Sequence, residues 1–330
     1  MIYNPIHNLL IMENRSKFQF IIFFCFLFVG NQLKAQQEIM YSQYMYNMIN
    51  INPAYAGNRV GDNITSLYRK QWINVAGAPT TYSLSWDRGT DDDGAGTVHG
   101  SNWPVGYGLQ IYKDQVGIET TQGIQAFYSY RLKFKESVLS LGLSGGFMNY
   151  RALYSQVSTI TGGEDPLFQE DVSAIVPTAG IGVLYATTHW YVGLSVPSLL
   201  QTKIMDNKQQ ITTGSDSHYF LTGGYVFYIS NDFMLKPSVM LRAIKGEALQ
   251  YDINLNAWIQ NTVGLGVSYR SKDALVGMVN IRITPQITLG YAYDYLISNM
   301  THFSTGSHEL ILNFQFNTPK ESHTISSRYY

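Results

Sequence analysis

The chain has 330 residues, of which 45% are hydrophobic, 14% aromatic and 14% charged, and its formal net charge is −1 at pH 7. Soluble domains carry about a quarter charged residues, so an ordinary soluble surface is not expected, and the hydrophobic content is too high for an intrinsically disordered chain. The near-neutral charge gives no basic field, which excludes nucleic acid as a partner. No apolar run near 18 residues follows the first thirty residues, which excludes a helical membrane protein.

Residues 1–35 have the features of an export signal and are predicted to be removed. Arg15 and Lys17 supply positive charge, Phe20–Val29 is an apolar stretch too short to span a bilayer, and the segment ends on a small residue suited to cleavage. The one cysteine of the sequence, Cys25, lies inside this segment. The mature chain is therefore expected to have no disulfide, no cysteine metal ligand and no cysteine nucleophile.

The next segment, residues 36–59, is rich in tyrosine and methionine and precedes the first predicted strand. Two interpretations stay open. The segment either fills the interior of the structure that follows or contacts a partner, or it packs beneath that structure as a periplasmic tail. The Asn52-Pro53 pair predicts an extended or turn conformation, because a residue before proline avoids the helical region. The segment is therefore not continuous with the first strand.

Residues 60–316 alternate apolar residues with small or polar ones, and turn residues separate the runs. In LSLGLSG at 139–145 and VGLGVSYR at 263–270, the positions between the apolar residues are mostly Gly and Ser. A soluble β-sandwich would carry many more charges on its polar face. Aromatic residues lie on the apolar face near the predicted strand ends: Tyr82, Trp86, Trp190, Tyr225, Phe227, Tyr291, Tyr293 and Tyr295.

Aromatic belts of this kind are typical of barrels that cross a membrane. Because unpaired backbone groups cost several kcal/mol in hydrocarbon, a spanning sheet must close on itself. We therefore predict an all-β fold: a transmembrane antiparallel β-barrel in outer-membrane lipid. About 14 strands are predicted, near 60–72, 80–88, 103–113, 120–132, 138–150, 176–187, 189–198, 217–229, 232–244, 248–259, 262–270, 274–283, 286–297 and 307–316.

The connections alternate in length along the predicted barrel. Those after even-numbered strands are mostly tight, whereas the long ones, near 151–175, 198–216 and 298–306, follow odd-numbered strands. Short turns of such barrels lie in the periplasm and long loops lie outside, so we expect periplasmic termini. The stretch Gly89–Asn102 breaks this rule, and it is either a docking or calcium loop containing Asp91, Asp92 and Asp93 or a solvated insertion.

No residue pattern predicts an enzyme. No serine lies in a GxSxG nucleophile elbow, which needs a strand followed by a helix, and the glycine pairs at 145–146 and 223–224 lie in strand patterns. The histidines outside the export signal show no HExxH pattern and no pair at metal-ligand spacing; they are His99, His189, His218, His302, His308 and His323. The sequence thus predicts no catalytic residue, no cofactor and no metal, although a barrel hydrolase stays open as a third function.

Three spaced motifs, NPAYAG at 52–57, YRKQW at 68–72 and GAPTT at 77–81, resemble the opening signature of the PorP/SprF family of type IX secretion membrane proteins. Similar segments follow over almost the whole mature chain: VGYGLQIYKDQVG at 105–117, LSLGLSGG at 139–146, PTAGIGVLY at 177–185 and HELILNFQF at 308–316. The tail 317–330 departs from the usual barrel ending on an aromatic strand residue. The motif residues are Asn52, Pro53, Ala54, Tyr55, Ala56, Gly57, Tyr68, Arg69, Gln71, Trp72, Gly77, Ala78 and Pro79.

The resemblance implies a non-enzymatic outer-membrane barrel of the type IX secretion and gliding motility apparatus. Its implied partners are a secreted surface protein with a type B C-terminal domain, such as a large adhesin, and other secretion components, including periplasmic ones linked to peptidoglycan. From the motif chemistry we expect Arg69 to brace residues 52–57 and Gly77, Ala78 and Pro79 to shape the first outer loop. A passive porin or solute channel is the alternative.

Overall fold

The computed structural model describes residues 39–59, 61–89, 104–156, 171–200, 203–205, 211–214 and 217–316. Its strands are β1 (Asp62–Lys70), β2 (Thr80–Gly89), β3 (Val105–Val116), β4 (Glu119–Lys133), β5 (Ser137–Ala152), β6 (Val172–Thr187), β7 (Trp190–Val196), β8 (Lys203–Met205), β9 (Ile211–Gly214), β10 (His218–Tyr225), β11 (Phe227–Ser230), β12 (Phe233–Ile244), β13 (Gln250–Ile259), β14 (Val263–Arg270), β15 (Ala274–Arg282), β16 (Ile287–Leu296) and β17 (Ser307–Phe316). Among the described residues, no helix has the length and apolar character needed to cross a membrane.

The main sheet closes on itself. Strands β1–β7 pair in chain order, as do β12–β17, and all the pairings are antiparallel. Strand β17 pairs with β1, and β10 pairs with both β7 and β12. Strand β11 continues β10 beyond a break at Val226, so the 15 strands of the sheet form a wall of 14. This closed antiparallel barrel confirms the predicted fold and strand count.

The two faces of the wall differ as the alternation predicts. In β14, Leu265, Val267 and Tyr269 face outward and are exposed, whereas Gly266 and Arg270 face inward and are buried. Aromatic side chains on the outside form pairs towards both ends of the strands, such as Tyr68–Tyr82 and Tyr251–Tyr269 at one end, and Trp86–Tyr107 and Tyr185–Trp190 at the other. The outer surface is therefore an apolar band between aromatic groups, which suits lipid.

The barrel has two rims with different connections. The long-loop rim carries the connections 71–79, 153–171, 197–217 and 297–306, together with the shorter 117–118, 245–249 and 271–273. The short-turn rim carries the connections 134–136, 188–189, 231–232, 260–262 and 283–286, as well as the longer 90–104. The tight turn predicted at Gln260-Asn261 is present, with φ of 48° and 51°.

The predicted loop 151–175 is shorter than expected, because β5 extends to Ala152 and β6 begins at Val172. A small buried cluster that includes Tyr150, Val172 and Val176 supports this extension of the hairpin. Beyond the strands, Ser155 Oγ donates to Asp171 Oδ1 at 2.8 Å, and this bond lowers the pKa of the Asp171 carboxyl below its ordinary value. Residues 157–170 lie outside the described residues.

The segment before β1 lies inside the barrel. Residues 41–57, which we call the plug, form three short 3-10 turns at Tyr44–Tyr46, Met48–Asn50 and Pro53–Tyr55. The plug is almost fully buried and packs in one core with inward side chains from the wall. Of the two interpretations left open by the sequence, this placement corresponds to the segment within the barrel.

Candidate functional site: the plugged lumen

The NPAYAG motif folds against the inside of β4–β7. Asn52 is extended and its side-chain oxygen accepts from Ala54 N at 2.9 Å, which caps the turn Pro53–Tyr55. The other side-chain atom of Asn52, Nδ2, donates to Val183 O at 3.1 Å. On the wall, Ser129 Oγ donates to Ala56 O at 2.7 Å. The extended Asn52-Pro53 pair predicted from the sequence therefore positions a turn that is hydrogen-bonded to two wall strands.

Inward-facing glycines make room for this motif. A Cβ atom on Gly142 would lie far inside the contact distance of Ala54 N, one on Gly182 would collide with the Asn52 side chain, and one on Gly106 would collide with Ala56 O. All three glycines belong to the weaker similar segments, VGYGLQ, LSLGLSGG and PTAGIGVLY. The NPAYAG motif and these three segments thus form the two sides of one contact, with NPAYAG on the plug and the glycines on the wall.

Replacing Gly142 by valine is expected to destabilise the plugged barrel by about 1–3 kcal/mol or more, because overpacking forces the plug backbone to move. Gly277 faces outward with no other heavy atom within 4 Å of an added Cβ, so Gly277→Val is the matched control. The measurement is the temperature at which the folded barrel loses its compact mobility on a denaturing gel. Equal shifts for the two variants would contradict the glycine contact.

The lower end of the plug is fixed at the short-turn rim. Gly57 has a φ of 65°, a conformation that favours glycine, and its N–H donates to Asp87 Oδ2 at 3.1 Å. Arg131 Nη1 donates to the carbonyl oxygen of Gly57. Arg59 Nη1 donates to Asn313 Oδ1 at 2.9 Å, and its Nη2 donates to Tyr46 O at 2.8 Å. This end is therefore held by strands on several sides of the lumen.

The upper end of the plug is held at the long-loop rim by carboxylates. Glu309, the third residue of β17, accepts from the backbone N–H groups of Ser42 and Gln43, each at 2.7 Å. Ser42 Oγ lies 2.7 and 2.8 Å from the two carboxylate oxygens of Asp294. Both carboxylates are buried. Hydrogen bonds to charged groups are about twice as strong as neutral ones, so this is a firm anchor.

Two buried arginines balance these carboxylates. Arg69 lies directly opposite Glu309 on the neighbouring strand and reaches it at 3.1 Å, while its Nη2 lies 2.8 Å from Asp294 Oδ2. Arg270 lies opposite Asp252 and contacts it at 3.2 Å, and it also reaches Asp294 at 3.3 Å. Together with Ser42, these five charged residues form what we call the rim clamp.

The expectation that Arg69 braces residues 52–57 is wrong. Its guanidinium donates to Ser42 Oγ at 2.6 Å, so it holds the opposite end of the plug from the NPAYAG motif. The reason is that Arg69 lies one residue before the end of β1, at the long-loop rim. The part of the plug at that rim is its first residues, including Ser42, and not the NPAYAG motif. Tyr68 faces outward and packs against Tyr82 with the two rings tilted, in the aromatic group of that rim.

The remaining motif residues form the β1–β2 connection. Gln71 N donates to Pro79 O at 2.9 Å, and Trp72 adopts a φ of 46° at the turn. Gly77 has a φ of 72°, and its carbonyl accepts from Gly117 N at 2.7 Å, which ties this loop to the β3–β4 turn. Ala78 is buried. These contacts give the loop a fixed conformation.

The described residues contain no group of three or more His, Cys, Asp or Glu side chains placed to hold a metal ion. The candidate calcium loop with Asp91, Asp92 and Asp93 lies outside the described residues, as do His99, His323 and the tail 317–330. Asp252, Arg270, Asp294 and Glu309 were not singled out from the sequence. The sequence feature that could have indicated them is that a charged residue is rare at the polar positions of these strands, whose outward faces are apolar.

Comparison with solved structures gives barrels of low similarity. The outer membrane protein Omp33 of Acinetobacter baumannii is 11% identical, with a TM-score of 0.46, and the comparison covers 79% of this chain and 100% of Omp33. The toluene transporter TbuX of Ralstonia pickettii is 9% identical, with a TM-score of 0.48 and coverage of 82% and 93%. Neither similarity supports a statement about function. Comparison with curated proteins gives no match.

The family comparison is decisive. The sequence model described as "Type IX secretion system membrane protein PorP/SprF" matches residues 33–314 and so spans most of the chain, from before the plug to near the end of β17. With the closed barrel and its apolar outer band, this match places the protein in the outer membrane. The chain therefore belongs to the PorP/SprF family of type IX secretion system membrane proteins.

Proposed function

We propose that this barrel supports the secretion of a partner that carries a type B C-terminal domain, such as a large adhesin, and anchors that partner at the cell surface. The observation that carries the proposal is the plug. It contacts the wall from one rim to the other, so the lumen is occupied and the long-loop rim becomes the surface that a partner can contact. The protein then acts in secretion and gliding through binding rather than through catalysis.

The long-loop rim has features of a binding surface. The β5–β6 hairpin has 16 residues in each strand, the longest of the barrel, and is stiffened by the cluster around Tyr150 and Val176. The β7–β10 connection contains its own small hairpin of β8 and β9. A rigid hairpin loses little conformational entropy when a partner binds, which favours affinity. Long loops of such barrels face the exterior, where a secreted partner would be held.

Replacing residues 157–170 by a short Gly-Ser linker is expected to release the partner into the medium. Ser155 and Asp171 are hydrogen-bonded at the base of this connection, so a short linker can close it without disturbing β5 and β6. The same replacement of residues 201–216 tests the second long connection. The measurement is the amount of partner on cells and in the medium by immunoblot. Unchanged surface retention in both variants would refute the gripping role.

The other partners proposed are further components of the type IX secretion system, including periplasmic ones linked to peptidoglycan, which would contact the short-turn rim. A pull-down from detergent-solubilised outer membrane, followed by mass spectrometry, tests this part. A barrel hydrolase is the third function left open by the sequence. It would process a generic ester or peptide and lose that activity when one histidine, such as His308, is replaced.

A further inference from the structure

We infer that the plug is threaded from the long-loop rim to the short-turn rim, so that the mature N-terminus emerges at the cell surface. The inference rests on the proposed orientation, with the long-loop rim outside. It changes the expectation of periplasmic termini, which in this proposal holds for the C-terminal end alone. It also deepens the proposed function, because it adds the N-terminal end of the plug to the surface that an external partner can reach.

The upper end of the plug is located by its wall partners. Tyr41 O accepts from Arg270, and the N–H groups of Ser42 and Gln43 donate to Glu309. Arg270 is the last residue of β14, and Glu309 is the third residue of β17. Both strand ends border connections of the long-loop rim, namely 271–273 and 297–306. The first plug residues therefore lie at this rim.

The lower end is located in the same way. Gly57 is bonded to Asp87, near the last residue of β2, and to Arg131, near the last residue of β4. Both ends border connections of the short-turn rim. The chain then starts β1 at Asp62 from that same rim. Between residues 41 and 57 the plug has crossed the lumen once, in one direction.

The chain that precedes the plug is too short to lead back to the short-turn rim. On β1, Asp62 and Arg69 are seven residues apart, which corresponds to about 23 Å at about 3.3 Å per residue. Cleavage after Ala35, as predicted, leaves three residues, 36–38, before Ile39. Three extended residues span about 10 Å. The mature N-terminus therefore cannot reach the short-turn rim through the lumen.

The absence of cysteine from the predicted mature chain allows a clean test. Single-cysteine variants are treated on intact cells with a membrane-impermeant maleimide. Met40→Cys reports on the start of the plug, Lys245→Cys on an exposed turn of the long-loop rim, and Lys135→Cys on an exposed turn of the short-turn rim. We expect Met40→Cys to be labelled together with Lys245→Cys, whereas Lys135→Cys should be labelled after permeabilisation alone.

Labelling of Met40→Cys with the pattern of Lys135→Cys would overturn the threading. Labelling of both Met40→Cys and Lys245→Cys after permeabilisation alone would overturn the surface location. A second variant, with a peptide tag inserted between Gln37 and Glu38 and detected by antibody on intact cells, covers the case in which the cysteine at position 40 is shielded. The partner protein is not involved in either readout, so failure here is distinguishable from failure of the anchoring function.

Discussion

A variant that lacks plug residues 41–56 is expected to conduct ions in long-lived steps across planar bilayers, whereas the intact protein should be nearly silent. Barrels of about eight strands are filled by their own side chains, and those of 16–18 strands leave a channel, so 14 strands enclose a bore that must be filled by something else. In this wall many inward positions are glycine or serine, such as Gly142, Gly182 and Ser195, which leaves the filling to the plug.

The same experiment discriminates between the proposed anchor and the porin alternative. A porin would conduct with the plug present, so step-like conductance of the intact protein would contradict the plugged state. A milder variant keeps the test informative if the deletion fails to fold. Asp294→Asn combined with Glu309→Gln removes the charges that hold Ser42 and also those that pair with Arg69, whereas the NPAYAG contact at the other end of the plug keeps its own hydrogen bonds. We expect brief openings from this variant.

The architecture of the wall could be predicted from the sequence because it depends on local patterns. In Val263–Arg270 the alternation of apolar and small residues indicates which side chains face outward. This prediction depends on neighbouring residues alone and not on contacts with distant parts of the chain. The small number of charges at the polar positions then favours lipid over a second sheet as the cover of the apolar face. The extension of β5 and β6 beyond their predicted ends does not follow from the sequence, because Val172 and Ser173 come directly after a polar loop and join the strand through pairing with Ala152 and Arg151.

The site could not be predicted because its contacts join distant parts of the chain. The hydrogen bond from Ser42 to Glu309 links residues 267 positions apart, and nothing in either neighbourhood indicates the other. Arg69 was recognised as a motif residue, but its neighbours in the sequence pointed to the wrong end of the plug. The glycines that contact the NPAYAG motif lie in segments that the sequence comparison with the family identified. Their shared role becomes apparent only from the structure, in which Gly142 packs against Ala54.

Replacing Arg69 by methionine is expected to lower the free energy of unfolding by about 3–5 kcal/mol, which is the usual cost of removing one partner from a buried ion pair. Arg69 is 1% exposed, and its loss leaves Asp294 and Glu309 with less compensation in a site that water does not reach. The measurement is a urea titration of the barrel refolded in detergent micelles, followed by tryptophan fluorescence.

The matched control is Arg88→Met. Arg88 pairs with Asp62 at 3.0 Å but is 24% exposed, and ion pairs in contact with water contribute about 0–1 kcal/mol. Equal losses for Arg69→Met and Arg88→Met would show that the rim clamp is not a special contact. The double variant Arg69→Met with Glu309→Gln should lose less than the sum of the single variants, with a coupling of about 0.5–3 kcal/mol, because Glu309→Gln removes the uncompensated charge. Additive losses would mean that Arg69 and Glu309 stabilise the plug independently.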